Sequence, residues 1–404
     1  MSDVHSIDKI SFQNTEIAFS SRSNFELLKM NFLFFSMNNK SINKLLTNIL
    51  LQSIRLKLPI KPIVKASIFG HFCGGENLDD CHKSIKLLQK YQIGTILDYS
   101  VEGEKSEFGF DRVMAETIQT IRLAGKSKSI PFAVFKTTGI ASVDLLEKAQ
   151  KGVLQNIDEV ADMNRAKARF SNICKETSVN NVRLFIDAEE SWIQGIIDQW
   201  SYEEMSLYNK DKALIYNTYQ LYRTNVLDLL ISAHQKAKKE GYILGAKLVR
   251  GAYMEKEAAY YSKNGAPNPI QASKEKTDYD FDQAILYCLQ HLDGIHFCAG
   301  SHNETSNLLL ASKMDELGIP RNDERIWFAQ LLGMGDNISF SLAKNGFKVA
   351  KYVPYGPVAA VIPYLVRRAS ENSSVVGQTS RELNLIQTES KRRLLLPLCK
   401  LGLI

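Results

Sequence analysis

Residues Val182–Ser191 read VRLFIDAEES, a short run of β-favouring apolar residues that stops at an acidic cluster. The same arrangement recurs along the chain: a brief apolar run, then polar residues, then a helical pattern. The runs are Gly94–Asp98 (GTILD), Phe132–Lys136 (FAVFK), Val182–Asp187 (VRLFID), Ala213–Asn217 (ALIYN), Ile243–Val249 (ILGAKLV), Ile295–Ala299 (IHFCA), Arg325–Gln330 (RIWFAQ) and Lys348–Val353 (KVAKYV). Between them lie amphipathic stretches such as Arg112–Ala124, Val226–Lys239, Gln283–Leu292 and Glu304–Leu317. Strands alternating with helices argue for parallel pairing, and eight such units predict an α/β fold of the (β/α)8 TIM-type barrel.

A barrel of this kind carries its site at the C-terminal ends of its strands. Polar residues gather there: Asp98 and Tyr99, Lys136 and Thr137, Asp187 with Glu189 and Glu190, Asn217 and Gln220, Arg250–Tyr253, Ser301–Asn303, Gln330, and Tyr352. Singly each reads as a helix cap or a solvated loop residue; their coincidence across the strand ends reads as a site. Upstream of Gly94 there is no barrel unit. Phe25, Leu28, Phe32 and Phe35 fall on helical spacing, so the first 90 residues are expected to form a helical arm packed on the barrel. The expected division is 1–90 arm, 91–388 barrel and 389–404 C-terminal tail.

The composition is that of an ordinary globular protein, 45% hydrophobic and 23% charged. A net charge of +6, spread along the chain without a basic motif interleaved with aromatics, points to no nucleic-acid partner. Six scattered cysteines suggest a reducing compartment and not a disulfide scaffold. The nearest approach to a metal pattern, His71, Cys73, Cys81 and His82, has no common zinc spacing, and no metal is expected. Asp3, Asp8 and Glu16 precede any apolar run, so neither a signal peptide nor a transit peptide is evident, and no stretch is apolar enough to span a bilayer. A cytoplasmic protein is expected. Leu45–Lys65 and Lys391–Ile404 combine apolar and basic residues, as ordinary packing helices do and as a peripheral contact at the inner face of a membrane would.

Tyr352–Asn372 reads YVPYGPVAAVIPYLVRRASEN. Gly356-Pro357 is a helix start signal, and a helix is predicted from about Pro357 to Asn372. Val358, Val361, Ile362 and Leu365 form an apolar stripe, and Tyr364, Arg367, Arg368 and Glu371 a second one. The second stripe reads either as a solvated face with a Glu/Arg pair or as a clamp for an anion, because paired guanidinium forks match a carboxylate or phosphate. There is no P-loop or nucleophile elbow, and Gly333–Gly335 (GMG) is too little for a dinucleotide fingerprint. Lys136 at a strand end leaves Schiff-base chemistry, as in aldolases of this fold, a competitor.

Taken together, LDYSVEG (Leu97–Gly103), FKTTG (Phe135–Gly139), FIDAEES (Phe185–Ser191), NTYQLY (Asn217–Tyr222), KLVRGAYMEKE (Lys247–Glu257), AGSHNE (Ala299–Glu304), LLGMGD (Leu331–Asp336) and the YLVRRASEN helix resemble the proline dehydrogenases, in order and over about three quarters of the chain. The resemblance implies a distorted barrel that holds FAD and oxidises L-proline to Δ1-pyrroline-5-carboxylate, with hydride passing from C5 to flavin N5 and electrons then to a quinone-type acceptor. It implies that Arg367 and Arg368 clamp the proline carboxylate, with Glu371 orienting their forks and Tyr364 packing on the ring. Lys136 is similar to the family's lysine between carboxylate and flavin, and as a desolvated amine near two arginines it is a candidate for a lowered pKa. Asp187 resembles the aspartate that supports the site, which the resemblance implies it does through Tyr352; Tyr352, Leu331 and Tyr253 resemble its apolar walls. Gln220, Lys247, Val249, Arg250, Gly251, Ala252, His302 and Asn303 are similar to the flavin shell, Gly251 allowing close backbone approach. Many members carry Arg where Lys247 stands and Lys where Arg250 stands, which leaves open which cation faces N5. With no aldehyde dehydrogenase domain after the barrel, a monofunctional enzyme is expected. The alternatives are 4-hydroxyproline oxidation on the same scaffold, a methylenetetrahydrofolate reductase, which would lack the paired-arginine helix, and a catalytically silent binding barrel.

Overall fold

The computed structural model describes residues 10–56, 59, 61–100, 104–374 and 378–400. Its strands are β1 Ile93–Tyr99, β2 Phe132–Lys136, β3 Arg183–Asp187, β4 Ile215–Gln220, β5 Leu244–Val249, β6 Ile295–Gly300, β7 Ile326–Leu331 and β8 Val349–Tyr355. They pair in parallel, in sequence order, and β8 closes on β1 from Ile93↔Val349 to Tyr99↔Tyr355. The expected (β/α)8 barrel is therefore present, with helices between successive strands.

The strand alternation assigns the residues to faces. On β3, Leu184 and Ile186 pack outward against the helices, while Phe185 points into the barrel. Phe132 of β2 stacks on Phe185 with centroids 4.2 Å apart, and Trp327 of β7 meets Phe132 edge-on at 5.2 Å. These rings fill the barrel interior below its mouth. Further along the same inward rows come Lys136, four residues past Phe132, and Asp187, two past Phe185, so the parity that buries an aromatic also aims a charge along the axis.

β4 begins and ends later than the expected Ala213–Asn217. Asn209 accounts for the late start: its side-chain oxygen accepts from the N–H of Leu214 and of Ile215, each at 2.9 Å, tying those residues to the preceding loop. The strand consequently runs on through Tyr219 to Gln220.

Among the described residues before β1 there are helices, including Asn24–Asn38, Lys40–Arg55 and Leu78–Lys90. Ser23 caps the first of these in a reciprocal box with Glu26. The apolar stripe expected to pack faces the other way. Phe25, Leu28, Phe32 and Phe35 are 64%, 67%, 71% and 53% exposed, whereas Leu27, Met30, Phe34 and Met37 are buried. The helix is apolar on two faces, and the one buried is the one that meets the C-terminal helices. Leu27, Met30 and Phe34 join Val358, Val361, Ile362, Tyr364, Leu365, Leu383 and Ile386 in a second core beside the barrel. The helix Val358–Ser374 starts where the Gly-Pro signal put it, and the helix Gln378–Lys400 runs through residue 389 without a break, so the expected tail begins inside a packed helix.

Burial on this scale sets the outcome of truncation. Phe34→Ala is expected to cost about 3–5 kcal/mol, while Phe25→Ser should change stability by no more than about 0.5 kcal/mol. Denaturant melts of the two variants check this, and a larger loss at Phe25 would reverse the orientation of the arm.

Candidate active site

The inward-facing strand ends of β1, β2, β3, β5 and β8 converge at the mouth of the barrel. Asp187 is the hub. Lys136 donates to its Oδ2 at 2.8 Å, Lys247 donates to its Oδ1, and Tyr352 Oη donates to Oδ1 at 3.4 Å. Lys247 also donates to Tyr352 Oη at 2.7 Å, its ammonium 4.9 Å from that ring's centroid and 5.3 Å from that of Phe185. Lys136 reaches a second carboxylate, Asp98 Oδ2, at 3.4 Å, and Ser100 donates to that same oxygen at 2.9 Å.

Burial makes these contacts obligatory. The Lys247 and Asp187 side chains are 6% and 13% exposed, and an unpaired ion at such depth is costly. Burial by itself would push Asp187 up, but Lys136 and Lys247 outweigh it and hold the carboxyl below its ordinary range. Burial likewise works against the Lys136 ammonium, and Asp187, Asp98 and Tyr253 overcome it, so its pKa lies well above the ordinary value. The expectation of a lowered pKa rested on Arg367 and Arg368, whose side chains lie outside the described residues; among the described residues the flanking Asp187, Asp98 and Tyr253 act in the opposite direction. Lys136 is a standing cation at the rim, 21% exposed, suited to an anion and not to nucleophilic attack.

A layer beneath joins the neighbouring loops. Glu189, just beyond β3, accepts from the Thr138 N–H at 2.9 Å and from the Thr138 hydroxyl, and burial pushes its carboxyl up to about 7. Gln220 donates to the Glu189 carbonyl at 2.7 Å. Arg250 sits off the axis, donating to Asp278 and Ser301 at 2.6 Å each and to Ser306 at 2.9 Å, with its guanidinium over the Phe281 ring. Asn303 accepts from the Ser306 N–H at 3.0 Å and caps the helix Glu304–Glu316. A groove of about 350 Å³ on the outer helices is lined by Phe110, Ser142, Asp144, Lys148, Glu159 and Arg169. Several of its charges are paired, Lys148 with Glu159 and Arg169 with Glu107 and with Asp111 beside the groove, as on a solvated face.

The chain matches the proline dehydrogenase family over residues 81–381. It belongs to the proline dehydrogenase family. It is 34% identical over 324 residues to the carbapenem antibiotics biosynthesis protein CarD of Pectobacterium carotovorum subsp. carotovorum, covering 80% of this chain and 84% of that one. It is 32% identical over 389 residues to the mitochondrial proline dehydrogenase 1 of Dictyostelium discoideum, covering 85% of this chain and 68% of the other. A solved structure of proline utilization A from Bdellovibrio bacteriovorus superposes with a TM-score of 0.70 at 19% identity. That match covers 90% of this chain but 38% of the longer protein, and at this identity it speaks for the fold.

For a proline dehydrogenase, the described residues bring Lys136, Asp187, Lys247 and Tyr352 into one cluster. Leu331 ends β7 and packs partly buried against both the barrel interior, with Tyr352, and the second core, with Tyr364. Tyr253 lies next to Lys136 in charge coupling and precedes the helix Met254–Lys263. Val249 closes β5, and Ala252 follows in the turn. Gly251 has φ +138°, and the space a Cβ would need there is taken by the Tyr222 ring, at 2.4 Å. His302 Nε2 accepts from the Leu331 N–H at 3.3 Å, which sets it against β7. Arg367, Arg368 and Glu371 lie on the helix Val358–Ser374, and their side chains fall outside the described residues. Asp98 was visible in the sequence as a strand-end residue but had no role; its parity with Ile96 is the signal that would have turned it inward.

A cationic Lys136 predicts the outcome of imine trapping. Borohydride added with a substrate-like carbonyl compound should leave no adduct on Lys136, because the amine is not free to attack. Mass-spectrometric detection of a stoichiometric adduct there would overturn this assignment.

Proposed function

We propose that this enzyme of proline oxidation holds FAD at the barrel mouth and converts L-proline to Δ1-pyrroline-5-carboxylate. The observation that carries the reading is the buried Lys136–Asp187–Lys247–Tyr352 cluster on the axis of a closed barrel of this family. The residues fit the cofactor. Thr137 Oγ1 and Arg223 Nε, at the rim after β2 and β4, are buried without a hydrogen-bond partner among the described residues, the state of polar atoms that a bound group satisfies. Arg250, whose guanidinium keeps N–H groups beyond those that Asp278, Ser301 and Ser306 take, stands beside the start of the helix capped by Asn303, a place suited to a pyrophosphate. Gln220, Val249, Gly251, Ala252 and His302 complete the proposed shell. FAD, when bound, supplies the acceptor for the hydride leaving C5 of proline.

The chain's own groups then do the positioning. Arg367 and Arg368 clamp the carboxylate, Glu371 orients their forks, and Lys136 adds a third positive charge at the rim. Tyr364, Leu331, Tyr352 and Tyr253 wall the ring, which keeps water from it and holds C5 in one place. Lys247 lies on the axis and Arg250 is committed to Asp278 and two serines, which favours Lys247 as the cation beside the flavin's reactive edge. Asp187 holds Lys136 and Lys247 apart at a fixed spacing.

Reduced flavin must be reoxidised, and a quinone-type acceptor suits the surface of the arm. In the sequence Lys40, Lys44, Arg55, Lys57, Lys61 and Lys65 follow one another with no acidic residue between them, though Lys61 and Lys65 pair with Glu76 in the fold, and Phe25, Leu28, Phe32, Phe35, Leu45 and Ile49 of the arm are exposed. Such a surface is suited to peripheral contact with an anionic bilayer. No helix among the described residues is long and apolar enough to cross one.

Two measurements test the reading. Arg367→Met and Arg368→Met should each raise KM for proline strongly with FAD retained, since a charge-assisted hydrogen bond is worth about 1.5–3 kcal/mol; unchanged kinetics in both would return that stripe to a solvated face. Tyr352 stands where a 4-hydroxyl would meet a phenol, so kcat/KM for L-proline should exceed that for trans-4-hydroxy-L-proline at least ~10-fold, and Tyr352→Ser should narrow the gap. A wild-type preference for hydroxyproline would reassign the substrate and leave the flavin chemistry standing.

A further inference from the structure

The turn that follows β7 is held by side chains from parts of the chain remote in sequence. Leu332–Gly335 leads into the helix Asp336–Lys344, with Gly333 at φ +79° and Gly335 at φ +61°. A Cβ on Gly333 would stand 2.7 Å from the His71 carbonyl oxygen, so the arm presses directly on the turn. The ring of His71 meets Gly333 O at 2.8 Å, and the Gly335 N–H donates to Glu382 Oε1 at 2.6 Å. Lys351, on the outward face of β8, donates to the carbonyls of Leu331 at 3.2 Å and Met334 at 2.6 Å.

That ammonium is part of a chain of charges. It donates to Asp336 Oδ1 at 2.6 Å, and Arg22 of the arm donates to Asp336 Oδ2 at 3.0 Å. The Lys351 and Asp336 side chains are 0% and 3% exposed. Arg393 of the last helix donates to the Arg22 carbonyl at 2.7 Å and so fixes where Arg22 stands. Arg22 Nε is buried without a hydrogen-bond partner among the described residues. The residue at the head of this turn is Leu331, which packs against both the inner barrel cluster that includes Tyr352 and the second core that includes Tyr364.

We propose that Arg22 and Asp336 are positioning residues that act through Lys351 to fix the turn carrying Leu331, so that the N-terminal arm shapes the proline site. The proposal rests on the reading of Leu331 as a wall of that site. With Arg22 present, Asp336 is shared between two cations and Lys351 is free to serve both carbonyls of the turn. Without it, Asp336 has Lys351 alone, the ammonium is drawn toward the carboxylate, and its bonds to Leu331 and Met334 lengthen. Leu331 then loses its fixed distance from the ring.

The test is steady-state kinetics on purified, FAD-loaded Arg22→Met, Arg22→Lys, Leu331→Ala and the Arg22→Met/Leu331→Ala double variant. Arg22→Met should raise KM for proline about five- to tenfold with kcat changed less than about twofold and FAD content as in the parent. Arg22→Lys should recover most of the loss, because an ammonium there still pairs with Asp336. In the Leu331→Ala background, adding Arg22→Met should shift KM less than about twofold, as expected of residues acting along one path. A parental KM in Arg22→Met, or effects that multiply fully in the double variant, overturns the proposal while the site reading stands. A parental KM in Leu331→Ala overturns the wall reading beneath it. Should Arg22→Met fail to fold, Asp336→Asn is read instead: it keeps the shape but weakens both cation contacts, and it must raise KM in the same way or the proposal fails.

Discussion

Asp187 is held between two ammonium groups, and much else in the molecule follows from that pairing. A carboxylate at this depth is tolerable when cations meet it, and the cations are tolerable because the carboxylate is there. Lys136 and Lys247 come from strands on opposite sides of β3 in the barrel, so the pairing closes across the axis and not along one strand. Its chemical consequence is a lysine that remains cationic at a half-open rim. On the function proposed above, a substrate carboxylate would meet a charge already in place, which lowers the reorganisation needed on binding.

The aromatic plug below this cluster gives it a floor. Phe132, Phe185 and Trp327 pack ring on ring in the barrel interior, and Phe185 lies parallel to Tyr352 with centroids 6.2 Å apart. The phenol that Lys247 and Asp187 hold by its oxygen is thus also held by its face. Two independent restraints on one side chain leave it little freedom, as a wall that discriminates between similar rings requires.

Beyond the barrel, the arm and the last two helices build a second core that meets the first near Leu331. The arm helix therefore has two apolar faces: Leu27, Met30 and Phe34 face this core, and Phe25, Leu28, Phe32 and Phe35 face outward. An outward apolar stripe of this size has a solvation cost in water, which is what the peripheral contact proposed above would relieve.

Period and punctuation made the architecture legible. Eight short apolar runs separated by helical patterns led to the closed barrel, and the gathering of polar residues at the run ends identified its working face, since both are local properties of the chain. The Gly-Pro start of the helix at Val358 was readable for the same reason. What local pattern lacks is the partner. Hydrophobic spacing could not choose between the two apolar faces of Asn24–Asn38, because burial is decided by the helix that docks there. Nor could composition near Lys136 give the sign of its pKa shift: Asp98 and Asp187 are remote from it in sequence, and only barrel closure brings them to its ammonium. The Arg22–Asp336–Lys351 chain was invisible on the same ground. The sequence alone determined which segments form strands and helices and, β4 apart, roughly where they end; the tertiary structure decided which charges face each other, because that depends on distances that exist after the chain has closed on itself.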